Sequence, residues 1–301
     1  MKWIVSVSLG SSARDHMVEV ELLGEKYRIE RRGTDGDKRK AISILNELDG
    51  KVDAFGMGGI DLYVCAGKRR YALRDALDLA RTPQKTPIVD GTGLKNTLER
   101  RVIRQLAEDG RFPLQGKKVL LVSAVDRFGM AEALVEVGAD LIIGDLIFVL
   151  GVPVKLRSLR TLDLLARVIA PIACRLPISM LYPTGEKQER TETKYARYYE
   201  EADVIAGDFH FIKRYMPPRL DGKAIITNTT TPSDIELLRE AGVTTLVTTT
   251  PRLEGRSFGT NVMEAVIVAA SGKRPEELTV RDYEELLEAL GFEPTVLDLA
   301  S

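Results

Sequence analysis

From Lys117 onward the chain alternates short runs that are almost continuously apolar with runs that are apolar on one face only. The apolar runs fall at 118 to 123, 140 to 145, 203 to 207, 223 to 228 and 244 to 249, and the one-faced runs at 130 to 137 and 233 to 241. A strand that is apolar on both faces must be covered on both, and strands that alternate with helices build a parallel sheet. The alternation therefore predicts an α/β sheet with helices on two sides, its ligands held beyond the carboxyl ends of the strands.

The preceding residues form a smaller unit. Residues 3 to 9 alternate, and MVEVELLGEKYRIERRG reads as two strands, 17 to 23 and 26 to 31, joined around Gly24. KRKAISILNELDG keeps its apolar residues on one helical face and stops at Gly50, and VDAFGMGGIDLYV is strand, glycine turn and strand. A helix over Asn96 to Leu106, with Leu98, Val102, Ile103 and Leu106 on one side, bridges this unit to the next. The expected fold class is α/β, a Rossmann-type parallel-sheet domain with a smaller α/β N-terminal domain. The N-terminal domain takes residues 1–99 and the sheet domain 100–258, with an insertion-like segment at 149–200. Helices in 259–301, the last with Thr279 as its N-cap, return to the cleft.

Forty-three Lys and Arg against 44 Asp and Glu give a net charge of −1, so no electrostatic case exists for nucleic acid or an anionic membrane. The run LDLLARVIAPIACRLPISMLYP is interrupted by Arg167, Pro171, Arg175 and Pro177 and is too broken to span a bilayer. Its apolar load over Leu162 to Tyr182 predicts either packing on its own domain or a homodimer contact, with the dimer preferred. Cys65 and Cys174 stand alone, and the two histidines build no zinc spacing, so no metal is expected. Isolated cysteines, and a first strand with no leader-like segment ahead of it, give a cytoplasmic expectation.

Between the strand at 118 and the helix at 130 stands Ser123-Ala124-Val125-Asp126-Arg127-Phe128-Gly129. A dinucleotide loop at this place usually carries three glycines, for the tight turn, for close approach to the pyrophosphate and for helix packing. Ser123 is small enough for the first role and Gly129 suits the last, whereas Val125 is branched where a pyrophosphate would approach. Asp145 ends the next strand, where a carboxylate accepts hydrogen bonds from a ribose diol and repels a 2′-phosphate. On this reading residues 123 to 129 and Asp145 hold NAD in preference to NADP. The plainer role for Asp145 is to cap the following turn.

The stretch from about Pro87 to Asp145 resembles the middle of the shikimate/quinate dehydrogenase family, within the wider amino-acid-dehydrogenase-like Rossmann proteins. These carry G-x-N-T-D on the helix that joins their domains. Here Gly93-Leu94-Lys95-Asn96-Thr97-Leu98-Glu99 keeps the Asn-Thr pair and places Leu98 at the aspartate position. The loop is similar to the single-glycine G-R-S-x-x-V-G of methylenetetrahydrofolate dehydrogenases, and the whole chain to bacterial proteins of the quinate 5-dehydrogenase group. The resemblance implies an NAD-dependent oxidoreductase acting on a small hydroxy or oxo acid, quinate- or shikimate-like.

The remaining candidates surround the expected cleft. Asp90, Lys95 and Asn96 gather around two glycines in VDGTGLKN, where a lysine and a carboxylate could move a hydroxyl proton, or merely start a helix. Asp208 and His210 lie just past a strand end, and a histidine with pKa about 6.5 exchanges its proton at neutral pH, unless it is structural between Phe209 and Phe211. IITNTTTP and LVTTTP end two strands in hydroxyl-rich turns. Thr260 and Asn261 open a helix whose positive end suits a carboxylate or phosphate, or simply form its cap. SVSLGSS and GMGGID are turns able to contact substrate, and His16 reads as incidental. Together these assign catalysis to Lys95, His210 and Asp90, and substrate contacts to Asn96, Asp208 and Asn261. The rivals are a non-redox enzyme on the same fold, and a ligand-binding or regulatory protein without the chemistry.

Overall fold

The computed structural model describes residues 1–66, 69–176, 193–253 and 256–300. Its first lobe is built on β1 (Lys2–Ser8), β2 (His16–Leu22), β3 (Glu25–Gly33), β4 (Ala54–Gly58) and β7 (Ile88–Val89), with β5 (Tyr63–Ala66) and β6 (Arg69–Ala72) as a separate hairpin. The sheet order is β2-β3-β1-β4-β7, with β1 parallel to β3 and β4, β4 parallel to β7, and β2 an antiparallel edge. The β2–β3 turn has positive φ at both Leu23 (53°) and Gly24 (74°), the backbone that matches the twist of a two-residue hairpin. Helices α1 (Lys38–Leu48) and α2 (Arg74–Ala80) complete the lobe, α1 capped by Asp37, which accepts from Arg39 N and Lys40 N.

The bridge starts earlier than its apolar spacing predicts. A helical turn at Thr92–Leu94 passes through a π-helical turn at Lys95–Glu99 into α3 (Arg100–Glu108). The second lobe follows as β8 (Lys118–Leu121), α4 (Phe128–Glu136), β9 (Asp140–Ile143), α5 (Leu159–Ala173), α6 (Ala196–Glu201), β10 (Val204–Gly207) and α7 (Phe209–Tyr215). It continues with β11 (Ala224–Thr227), α8 (Pro232–Glu240), β12 (Thr245–Thr248) and a short hairpin, β13 (Arg252–Leu253) and β14 (Arg256–Ser257). Last come α9 (Thr260–Ser271), α10 (Val280–Ala289) and β15 (Thr295–Asp298). The order is β15-β12-β11-β10-β8-β9, all parallel except β15. The protein is thus a two-lobed α/β fold with a parallel sheet in each lobe.

The C-terminal segment serves both lobes. Helix α9 packs on β1 and β4 of the first sheet, and β15 returns as the antiparallel edge of the second, a strand too short and mixed to stand out in the sequence. Helix α5 also reaches across: Ala170 and Cys174 join the core of Val5, Leu45 and Phe55, and Arg74 N donates to Cys174 O at 3.1 Å. Its outer side exposes Leu164, Val168 and Ile172, while the rest of that apolar segment, from Pro177, lies outside the described residues. No helix among the described residues is long and apolar enough to cross a membrane. One apolar core runs through the bridge, joining Ile4 and Ile29 of the first lobe to Val119 and Leu121 of the second through Leu94, Leu98 and Val102. Leu98 is fully buried there, which accounts for an apolar residue at the position where the resemblance would put an aspartate.

Candidate functional site

In each sheet the first parallel strand is flanked on one side by the next and on the other by the one after it, β3-β1-β4 in the first lobe and β9-β8-β10 in the second. Loops leaving such a switch point diverge and open a crevice. Here the two crevices face each other across one cavity of about 180 Å³. The first lobe contributes Ser6, Ser8, Gly58 and Asp61, together with Arg14 and Arg31. The second contributes Asp126, Arg127, Asp208, His210, Asn228 and Thr229.

Close packing at the hinge explains several small residues. A Cβ on Gly56 would stand 2.9 Å from Asn261 Nδ2, and one on Gly91 (φ 93°) 2.7 Å from Thr260 Oγ1. The glycines let the start of α9 approach the first sheet, where Asn261 Nδ2 donates to Ser6 Oγ at 2.7 Å. Asn261 and Thr260 therefore form a cleft wall that also ties the lobes together.

Lys95 is buried, and its Nζ donates to Asp61 Oδ1 at 2.5 Å. Burial works to lower the lysine pKa, but the Asp61 charge outweighs it and holds the ammonium protonated, so Lys95 is a fixed cation in this structure rather than a base. Asp61 is pushed up to about 6 by burial, against the pull of Lys95 and with the repulsion of Asp126 and Asp90. Asp90 itself lines the cavity but is committed to its turn. Its Oδ2 accepts from Leu62 N and Thr92 Oγ1, both at 2.6 Å, and its Oδ1 from Thr92 N at 3.0 Å. Asn96, expected to touch substrate, turns away from the cleft: its amide donates to Thr92 O and it faces a pocket on the opposite side of the bridge.

The loop at 123 to 129 folds around Asp145. That carboxylate, 5% exposed, accepts from Ala124 N at 2.9 Å, Val125 N at 3.0 Å and Ser123 Oγ at 3.4 Å, and burial raises it to about 6 against those amides. The acceptor expected to meet a ribose is thus spent within the loop, and the two amides that a pyrophosphate would use are engaged. Gly129 lies against the bridge, where a Cβ would stand 3.0 Å from Asn96 O, so its smallness serves helix packing. Phe128 faces the outer pocket. These residues do not fit a dinucleotide in this conformation.

Arg127 and Asp126 of the loop do enter the cleft. Arg127 is fully enclosed, ion-paired with the buried Glu99, and lies 3.4 Å from Asp208 and 3.6 Å from Asp126. Burial drives the Glu99 pKa up, against the opposing charge of Arg127. Asp208 caps α7 by accepting from His210 N at 2.9 Å and also accepts from Asn228 Nδ2 at 3.2 Å. Burial would raise its carboxyl, but His210, Arg127 and Lys95 hold it at about 2.

His210 differs from its expected role. The Arg14 guanidinium donates to His210 Nε2, which must then be an unprotonated acceptor, leaving the proton on Nδ1. Burial, reinforced by the Arg14 charge, lowers its pKa to about 4, so it is neutral at pH 7 and does not titrate near neutrality. His16 is not incidental: its ring stacks on Phe258 at 4.5 Å and 30°, giving the cleft a flat apolar wall. Asp126 Oδ1, Arg127 Nε and Thr229 Oγ1 are buried at the cleft without a hydrogen-bond partner. Sequence reasoning missed Asp61, Arg14 and Arg31. Only the glycine turn at 56 to 61 and the serine turn at 6 to 12 hinted at where they stand.

Two α/β lobes with their switch points opposed around a charged cleft define the class of the molecule. Within it, the chain belongs to the family described as Domain of unknown function (DUF8754), whose model matches residues 93–299. Residues 3–90 match a second family, Domain of unknown function (DUF8753). Neither is the shikimate/quinate dehydrogenase family, so that resemblance is corrected, and with it the oxidoreductase reading drawn from it. No curated protein matches by sequence. Among solved structures, the arabinose binding protein AraP from Geobacillus stearothermophilus aligns at 8% identity and TM-score 0.44, covering 99% of this chain and 97% of its own. The 5-methylthioribose transporter solute binding protein from Thermotoga lettingae aligns at 12% and 0.40, covering 98% and 85%. The NAD-dependent malic enzyme from Thermotoga maritima aligns at 14% and 0.35, covering 97% and 84%. Binding proteins predominate among these likenesses, but superpositions this loose assign neither ligand nor activity to this chain.

Proposed function

We propose that the protein binds a small polyhydroxylated molecule, of the sugar or polyol-acid class, between its lobes. The observation that carries this reading is the set of buried polar atoms at the cleft without a hydrogen-bond partner, Arg127 Nε among them although it stands 3.6 Å from Asp126 Oδ2. Asp126 Oδ1 is an acceptor, Arg127 Nε a donor and Thr229 Oγ1 both. A buried polar atom without a partner costs on the order of 1 to 3 kcal/mol. A ligand whose hydroxyls donate and accept in alternation satisfies all three, and its apolar ring face fits the Phe258 and His16 wall. The cleft holds Arg14, Arg31 and Arg127 as well as its carboxylates, so an acid group on the ligand would also find a partner. The buried free thiol of Cys174 is in keeping with a cytoplasmic setting.

A second reading, proton-transfer catalysis on the bound molecule without redox chemistry, is favoured by Asp61 alone. A carboxyl near pKa 6 beside a fixed ammonium is suited to exchange a proton near neutrality. Calorimetric titration of the full chain with a panel of aldoses, polyols and sugar acids tests the binding reading. Saturable binding of at least one member is expected, and silence across the whole panel would refute it.

A further inference from the structure

On the side of the bridge opposite the cleft lies a second cavity, of about 320 Å³, bordered by five arginines and two glutamates. Arg69 and Arg70 come from β6, and Arg100, Arg101 and Arg104 from α3. Glu132 is taken by Arg100 at 2.5 Å, and Arg104 is bonded to Glu136 at 2.7 Å. The side chains of Arg69, Arg70 and Arg101 have no ion pair or hydrogen bond among the described residues, and of the acids lining the cavity Glu284 alone is unpaired. Composition does not produce this. The chain carries one more acid than base, and several exposed arginines elsewhere are matched locally, Arg157 by Asp140, Arg219 by Asp221 and Arg281 by Glu285, whereas here three unmatched ones border one cavity.

We propose that this pocket is a binding site for an organic phosphate, distinct from the interlobe cleft. Guanidinium groups present paired N–H donors that match the oxygens of a phosphoryl group, and a dianion neutralises most of the local excess. The cavity is larger than inorganic phosphate needs and falls in the range of small-molecule sites. Phe128 forms part of its lining, 6% exposed, with Val280 on the rim, so the ligand carries an apolar body behind its phosphate. Asn96 and Thr97 complete the wall from the π-helical turn that sends Lys95 to the other side.

The test is calorimetric titration of the full chain at low salt with phenyl phosphate, and with inorganic phosphate for comparison. Phenyl phosphate should bind saturably and more tightly than inorganic phosphate. Arg69→Gln with Arg101→Gln should weaken it by at least about tenfold, the scale of two lost charge-assisted contacts. Arg219→Gln, an exposed arginine far from the pocket, should change it by less than about twofold. Arg69 and Arg219 are exposed and Arg101 is half-buried, and thermal melting checks that each variant stays folded. Absence of saturable binding, equal affinity in the double variant, or a loss produced instead by Asp126→Asn in the cleft would overturn the proposal.

Discussion

The two faces of the bridge carry similar charge and hold it in opposite ways. On the cleft face Lys95 meets Asp61 and Glu99 meets Arg127, in pairs whose side chains are between 0% and 16% exposed. On the outer face Arg104 stands in solvent and Arg101 is half-buried, and only some of their neighbours are matched. The contrast follows from desolvation. A charge out of water must have a partner or lose its ionisation, whereas a solvated guanidinium needs none. An unpartnered atom is therefore strong evidence for a ligand inside the cleft, while outside it only the convergence of several unpaired cations is informative.

Breaking a buried pair should give the largest effect. Arg127→Leu leaves the Glu99 carboxylate alone in the core and should cost about 3 to 5 kcal/mol, measured by urea unfolding. Adding Glu99→Leu should restore most of that loss, because two apolar side chains can replace a buried ion pair. On the outer face Arg101→Gln should stay within about 0.5 kcal/mol. A similar cost on the two faces would remove the distinction between them.

A smaller effect should appear with pH at Glu264, which lies under the hinge glycines. Its Oε1 accepts from Tyr283 Oη at 2.6 Å, and burial, with the repulsion of Asp90, raises its pKa to about 7. A carboxyl raised above its unfolded value favours the acid form in the folded state. Its stabilising contribution is fully present below about pH 4.5 and is lost as pH rises through about 7. Glu264→Gln should therefore be the more stable chain at pH 8, by up to roughly 3 kcal/mol, with the advantage gone by pH 4.5. A pH-independent difference would mean that Glu264 does not titrate in the fold.

The architecture was legible in the sequence because it rests on pattern. Runs such as Val119 to Val122 and Ile225 to Ile226 are buried on both faces and could only be central parallel strands. The site was only half legible, because its chemistry depends on who stands opposite whom. Lys95, Asp208, His210 and Asn261 do reach the cleft, but Lys95 is locked by Asp61, thirty-four positions away, and His210 is kept neutral by burial and by Arg14 from the other lobe. No spacing rule announces such pairings. Asp145 shows the same limit from another side: a carboxylate at a strand end looks the same in sequence whether it faces a ligand or closes its own loop.

The central claim is that a hydroxylated ligand sits in the cleft and completes its buried hydrogen bonds. Its most direct test takes the tightest-binding polyol or sugar acid and titrates it into Asp126→Asn and Arg101→Gln side by side. Losing the charged acceptor at Asp126 should weaken binding by about tenfold or more, while Arg101→Gln stays within about twofold of the unaltered chain. Unchanged affinity in Asp126→Asn, or a loss confined to Arg101→Gln, would contradict the account.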